Sequence, residues 1–592
     1  MSSLALAACG GGSSDTGSAG DELSDVEQKG TLALALTDAE GDFLAYRVAV
    51  ASIAMTRSDG ALVEVLTDDT EVDFAQYVDV SELVSVGEVP AGRYSQVALV
   101  LDYSNAELVV QSESGEAITA NAVDGNGEPL TSLTVTLDFG TDMGVVVSPG
   151  VVSQVTLDFD LSASNQVVIA ADQAEVTVEP LLLVSSAEFE PKLVRARGVL
   201  EEVDQAASEF SLDLLPFRRR AGEYGTGLVS VTGQTSYLVN GTTYLGSDGL
   251  AALAAAAGSV PVVCEGEWDF EAGTFIGKRV VAGSSLAFGE ADVVRGVVLA
   301  RAGNHLTMSA SVVELAEGEY FFSPRLELQL SDAVQVIVQR QQLAAENSNA
   351  ISVGSVITAV GELNEEDLFA ADSVHVWQSG LAGTVVAASP LVVDLQLLSG
   401  HRPGAFDFVG TGSSLATDAD PDNYDVATGS LELSGLNLGE PVRVRGLVAD
   451  FGTAPEDFLA TTLVDAGGLR AHLSLGFTLM GAEGVFTDLT DDGALVTLAG
   501  VGLRHHIERG GIISDPVALF SALQLHPAGD GGTYAISLRN KIMLYDNFAD
   551  FAGALQMQLA ETPKVRRIEA RGTFDDEQGV FSAYAMAVVL IN

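Results

Sequence analysis

The segment Asp418-Ala-Asp420-Pro-Asp422-Asn423-Tyr-Asp425 holds the sharpest set of potential metal ligands in the chain. Carboxylates at alternate positions can converge on one Ca2+, a hard cation that takes about six to eight oxygens. The central glycine and distal glutamate of a helix-flanked calcium loop are missing, and Pro421 interrupts the run. Asx-turns alone account for the same spacing. Calcium, through Asp418, Asp420, Asp422, Asn423 and Asp425, is the one cofactor the residues raise. His505 and His506 with Glu508 form the second candidate. Adjacent side chains of a strand point to opposite faces, so both rings do not readily reach one ion. There is no Gly-x-Ser-x-Gly elbow, no phosphate-binding glycine loop ending in Lys-Ser or Lys-Thr, and no dinucleotide fingerprint. With 82 acids, paired carboxylates for glycoside hydrolysis can be drawn in too many ways to select one. No catalytic residue is assigned, and the chain reads as non-enzymatic.

The charge balance narrows the partners. Asp and Glu number 82 against 28 Lys and Arg, for a net charge of −54. Before residue 191 the imbalance is 32 acids to 4 bases. Such a surface repels phosphate backbones, which argues against nucleic acid. The Arg218-Arg219-Arg220 cluster reads as a solvated loop, and Trp268 and Trp377 as core or rim packing.

Two cysteines in 592 residues exclude a disulfide framework and a thiolate zinc site. Cys264, inside an apolar run, reads as an inert buried thiol. Leu6-Ala7-Ala8-Cys9, followed by Gly10-Gly-Gly-Ser-Ser-Asp15, resembles the lipobox and tether of bacterial lipoproteins. The resemblance implies lipidation of Cys9 after a truncated signal peptide at 1–8, with 9–29 a flexible acidic tether. Absence of Asp after the cysteine implies outer-membrane retention, on the periplasmic or the surface side.

The elements behind these residues are strands. Short runs with period two, such as Thr31 to Leu36, Leu133 to Phe139 and Val155 to Phe159, are separated by turn residues, and the fold class is all-β. Seven or more strands over 30–187 predict an immunoglobulin-like or transthyretin-like sandwich. Pro90-Ala-Gly-Arg-Tyr94 marks a turn within it. Beyond it a pattern recurs four times. Glycine-bearing starts lie at Val194-Arg-Ala-Arg-Gly-Val199, Val293-Val-Arg-Gly-Val-Val298, Gly380-Leu-Ala-Gly-Thr-Val385 and Met480-Gly-Ala-Glu-Gly-Val485. The matching ends include Val262-Val-Cys-Glu-Gly-Glu, Ile357-Thr-Ala-Val-Gly-Glu, Val442-Arg-Val-Arg-Gly-Leu and Ile568-Glu-Ala-Arg-Gly-Thr. Helices are predicted at Leu250 to Ala257, Arg340 to Asn347 and Phe548 to Ala560, with a loop replacing the helix of the third unit. Strands around such a helix give the order of an OB-like barrel, so four barrels are expected at 190–285, 291–378, 379–468 and 473–592.

The 30–187 region, opening on GTLALALTDA and carrying the Pro90-to-Tyr94 turn, resembles domain of unknown function 4382. The repeats resemble domain of unknown function 5666. Neither resemblance implies an activity or a catalytic residue; together they imply architecture and an envelope location. The expected function is a cell-envelope lipoprotein that binds or spaces through a row of modules, attached to the membrane by its lipid. A calcium-dependent surface module for a polysaccharide or envelope protein is the alternative, and an envelope hydrolase the second.

Overall fold

The alternation in Ser132-Leu-Thr-Val-Thr-Leu-Asp138 forms a strand that buries Leu133, Val135 and Leu137 and exposes Thr134. Leu32 to Leu36 are instead buried on both faces, because Lys29–Thr37 runs through the middle of a sheet. It pairs parallel with Val152–Phe159 and antiparallel with Val80–Pro90. The computed structural model describes residues 28–591 with short interruptions, the longest at 38–42 and 186–192. Cys9 and most of its tether lie outside the described residues.

The facing sheet of this sandwich is built on the long antiparallel pair Phe43–Arg57 and Gly92–Gln111. Ala117–Val123 and Ser132–Asp138 flank it. Gly92, with φ of +147°, turns the chain between its flanking strands, and the buried Tyr94 hydroxyl donates to the Pro90 carbonyl at 2.7 Å.

The four repeats are barrels of one design. In the first, Leu193–Asp204 pairs with Glu209–Leu214, which pairs with Thr226–Val239. The third strand runs parallel to the fifth, Thr274–Ala282, and the fourth, Pro261–Asp269, joins the fifth to the first. The ring order 1-2-3-5-4 with helix Gly246–Ala255 between strands three and four is that of an OB-like barrel. Strands Asp292–Ala302 to Leu368–Trp377 and Ser379–Ala388 to Phe458–Val464 close in the same order. The strand expected at Met480 to Val485 does not form: the fourth unit opens nine residues earlier with Ala471–Phe477, 480–485 lies between strands, and the second strand is split. Val501–Arg509 pairs with the first strand, while Gly493–Thr497 pairs with the third.

The helix expected at Arg340 to Asn347 does not form. Residues Leu343–Glu346 form a strand that turns back on Val336–Gln339, followed by the 3-10 turn Ser348–Ala350. Its Gln and Ala content favours a helix locally, but the open end of the long third strand offers a pairing partner, and tertiary context prevails.

The recurring glycine has a steric cause. Gly266, Gly361, Gly446 and Gly572 each sit where the register between strands four and five slips by one residue. A Cβ there would lie 2.0, 1.8, 2.0 and 1.9 Å from the carbonyl oxygens of Ile276, Ala370, Leu459 and Ser582. Only glycine lets the bulged strands approach that closely.

The barrels do not stand in an extended row. Leu193–Arg195 continues the sandwich by pairing parallel with Val80–Glu82, and one apolar core runs from Leu32 through Cys264. Lys541–Met543 of the fourth barrel pairs parallel with Thr136–Asp138, and Arg566 meets Glu179 at 2.8 Å. In the second barrel the Tyr320 carbonyl accepts from Arg47 at 3.0 Å, and the Arg47 guanidinium covers the Tyr320 ring. The third barrel lends Leu447 to the core of the second, and its Phe451 ring lies under Arg301. Exposed sheet edges are thus covered by neighbouring modules. Among the described residues, no helix is long and apolar enough to cross a membrane.

Candidate functional site

All five modules face a common cavity of about 1320 Å3. Among the described residues, its walls hold seven of the chain's 28 basic residues and three of its 82 acids. The interior therefore has the opposite charge bias to the molecule as a whole.

The first three barrels supply this charge. Arg195 and Arg197 lie two apart on a first strand, and Arg443 and Arg445 two apart on a fourth, so each pair projects to one face. Arg295 comes from the first strand of the second barrel, Arg279 from the fifth strand of the first, and Arg402 from a loop of the third. Arg197, Arg295 and Arg445 each directly precede a glycine of a repeat strand. That Arg-Gly recurrence was the available signal in the sequence; bases read there as scarce turn out to be concentrated.

Glu82, fully buried, meets Arg195 at 2.6 Å and Arg197 at 2.9 Å. Arg195 is 2% exposed, covers the Tyr77 ring, and its Nη2 makes no hydrogen bond. Arg279 pairs with Glu265 and lies 5.2 Å from the centre of the Trp377 ring. Burial pulls the Arg279 pKa down to about 10, and the positive charges of Arg445 and Arg195 act in the same direction. Trp377 thus lines the cavity and holds Thr358 through its indole N–H at 2.9 Å, while Trp268 stacks on Phe275 in the first barrel. His375 and His401 also line the cavity. Burial lowers both, His375 to about 4, so they are neutral near pH 7. Arg219 is tied to the Tyr224 hydroxyl and the Asp69 carbonyl at 3.0 and 2.6 Å, and so is anchored rather than solvated.

Residues 29–180 match the family model described as Domain of unknown function (DUF4382). The N-terminal sandwich is thus similar to that family. No curated protein matches the chain.

The carboxylates of the acidic segment have separate local tasks. Asp418 Oδ1 accepts from the amides of Gly410 and Gly412 at 3.0 and 2.9 Å. Asp420 caps the short turn Pro421–Asn423, accepting from the Asp422 amide at 3.1 Å and the Asn423 side chain at 3.0 Å. Asp425 donates its amide to Asp457 Oδ2 at 2.8 Å. The structure does not bring Asp418, Asp420, Asp422 and Asp425 into one group of ligands.

Among the described residues, the group of three or more candidate ligands is His472, His506 and Glu508, whose ligand atoms all lie within 4.8 Å of one another. His505 turns away, as the alternation requires, and meets Asp515 at 3.0 Å. His472 stands 34 residues before His506 and only the pairing of two strands brings them together. Cys264 is fully buried, with its thiol pKa raised by burial.

Proposed function

We propose that the chain is a non-enzymatic, lipid-anchored binding protein of the bacterial cell envelope, and that its central cavity receives a short acidic oligosaccharide. The observation that carries this reading is the reversal of charge between surface and cavity. Acid-rich exteriors repel long polyanions, whereas a ligand that enters a cavity of about 1320 Å3 leaves that surface behind. Drug-sized ligands occupy pockets of roughly 300–1,000 Å3, so there is room for a few sugar rings. Guanidinium forks match carboxylates in a bidentate way, and the Trp377 ring gives a flat apolar surface for a sugar. Enclosure of one cavity by five modules favours binding over spacing.

The test is titration calorimetry of the full chain with an oligogalacturonate of about four residues, beside a neutral oligosaccharide of equal length. Binding of the acidic sugar alone is expected, weakened about tenfold or more by Arg445→Gln, in line with loss of a charged hydrogen bond. No heat at millimolar acidic sugar, or equal binding by Arg445→Gln and Arg197→Gln, would overturn it. The address rests on Cys9. Radiolabelled palmitate should enter the wild-type chain and not Cys9→Ala, and the variant should leave the membrane fraction.

A further inference from the structure

We propose that His472, His506 and Glu508 form a transition-metal site, taking Zn2+, in the wall of the central cavity. Two neighbouring strands of the fourth barrel build it. Ala471–Phe477 and Val501–Arg509 run antiparallel, with His472 directly opposite Glu508 and Ser474 opposite His506. Side chains at 472, 474, 506 and 508 therefore share one face, and the His506 ring reaches diagonally toward His472. The ring centres are 5.7 Å apart, at 82° to each other. All three ligand atoms lie within 4.8 Å of one another. Tetrahedral Zn2+ with ligands at about 2.0–2.1 Å holds them roughly 3.3 Å apart, so small side-chain rotations close the site.

A buried carboxylate already holds one of the rings. His472 Nε2 meets Glu569 Oε2 at 3.0 Å, and Glu569 is 4% exposed. Its Oε1 accepts from the Ser474 hydroxyl at 2.9 Å and lies 3.3 Å from Arg567 Nε. A buried carboxylate on a ring nitrogen fixes the orientation of a metal-binding histidine. Two imidazoles and one carboxylate suit zinc and its first-row neighbours, not Ca2+ or Mg2+, which prefer oxygen alone. Three protein ligands leave a fourth position for a water or a ligand, and His506 and Glu508 line the cavity. The inference rests on these residues alone and stands whether or not the cavity takes an acidic sugar.

The test uses tag-free full chain, titrated with Zn2+ by calorimetry and with Co2+ by visible absorption. One strong Zn2+ equivalent is expected, and intense Co2+ bands of four-coordinate geometry, a readout that needs no variant. His506→Ala and Glu508→Gln should each weaken Zn2+ at least 100-fold, with unchanged circular dichroism. Glu569→Gln should weaken it about 10- to 100-fold, because the ring loses the carboxylate that orients it. His505→Ala should bind as the wild type does. Failure to saturate with Zn2+, weak octahedral Co2+ bands, or unchanged affinity in His506→Ala and His472→Ala would overturn the site.

Discussion

The Glu82 carboxylate, at the edge of the sandwich, meets the Arg195 guanidinium of the first barrel at 2.6 Å. Both side chains are buried, and Arg197 approaches the same carboxylate from two residues on. Glu82 thus compensates two guanidinium groups at a junction where backbone pairing already joins the modules. Its removal leaves positive charge buried with less compensation.

Glu82→Ala is accordingly expected to cost about 3–5 kcal/mol, the range for breaking a buried pair from one side. Scanning calorimetry should show the loss in the transition that includes the sandwich and first barrel. A change below about 1 kcal/mol would show that solvent reaches the arginines when the acid is gone.

Asp457 gives a pH dependence of definite sign. It is 4% exposed, and burial raises its pKa to about 6, with the charges of Asp425 and Asp420 adding to the effect. Its Oδ1 has no hydrogen bond. Between the unfolded value near 4 and about 6, the folded chain holds a proton that the unfolded chain has released. Stability contributed by this group is therefore present below about pH 4 and lost as pH rises through 6. Asp457→Asn keeps an acceptor for the Asp425 amide and cannot ionise. It should gain about 1–3 kcal/mol at pH 7.5 and nothing near pH 4, measured by urea denaturation. An equal effect at both pH values would remove the ionisation account.

What could be read before the structure follows from the range of the interactions. The strands and the four-fold recurrence were legible because a glycine under a carbonyl, as at Gly361 and Ala370, is a local demand that writes itself into every copy. The turn at Gly92 and Tyr94 was legible for the same reason. Arg340 to Asn347 misled because its partner strand, Val336–Gln339, was not recognisable as having a free end. The site was the least legible part. Arg195, Arg279 and Arg445 belong to three different strands of two barrels, and their approach depends on how whole modules pack. His472 and His506 meet only through cross-strand register, whereas the adjacent pair His505 and His506 drew attention through sequence proximity and is split by the pleat.

Two glycines of one strand separate packing from propensity. A Cβ at Gly383 would lie 2.2 Å from the Asp394 carbonyl oxygen, whereas one at Gly380 meets nothing within 4 Å. Neither has a positive φ. Gly383→Ala should therefore lower stability by about 1–3 kcal/mol through overpacking, and Gly380→Ala should be near neutral. Thermal denaturation of the pair checks this. Equal effects would mean that the strand shifts to admit a methyl group and that the bulge is not what holds glycine there.

Cys264 should behave as a core residue with a thiol attached. Its pairing with Val280 on one side and Ala196 on the other closes the barrel around it, and a Cβ at Gly277 would come within 2.8 Å of its Sγ. The thiolate is the reactive form, and burial holds the thiol protonated well above the usual range. In a Cys9→Ala background, a thiol reagent at pH 8 should leave the native chain unlabelled for hours and take up one equivalent once denaturant unfolds the barrel. Cys264→Ser should cost about 1–3 kcal/mol by burying a more polar hydroxyl in place of the thiol. Native labelling at the rate of an exposed thiol would mean that the first barrel opens on its own. The core it shares with the sandwich would then not act as one unit.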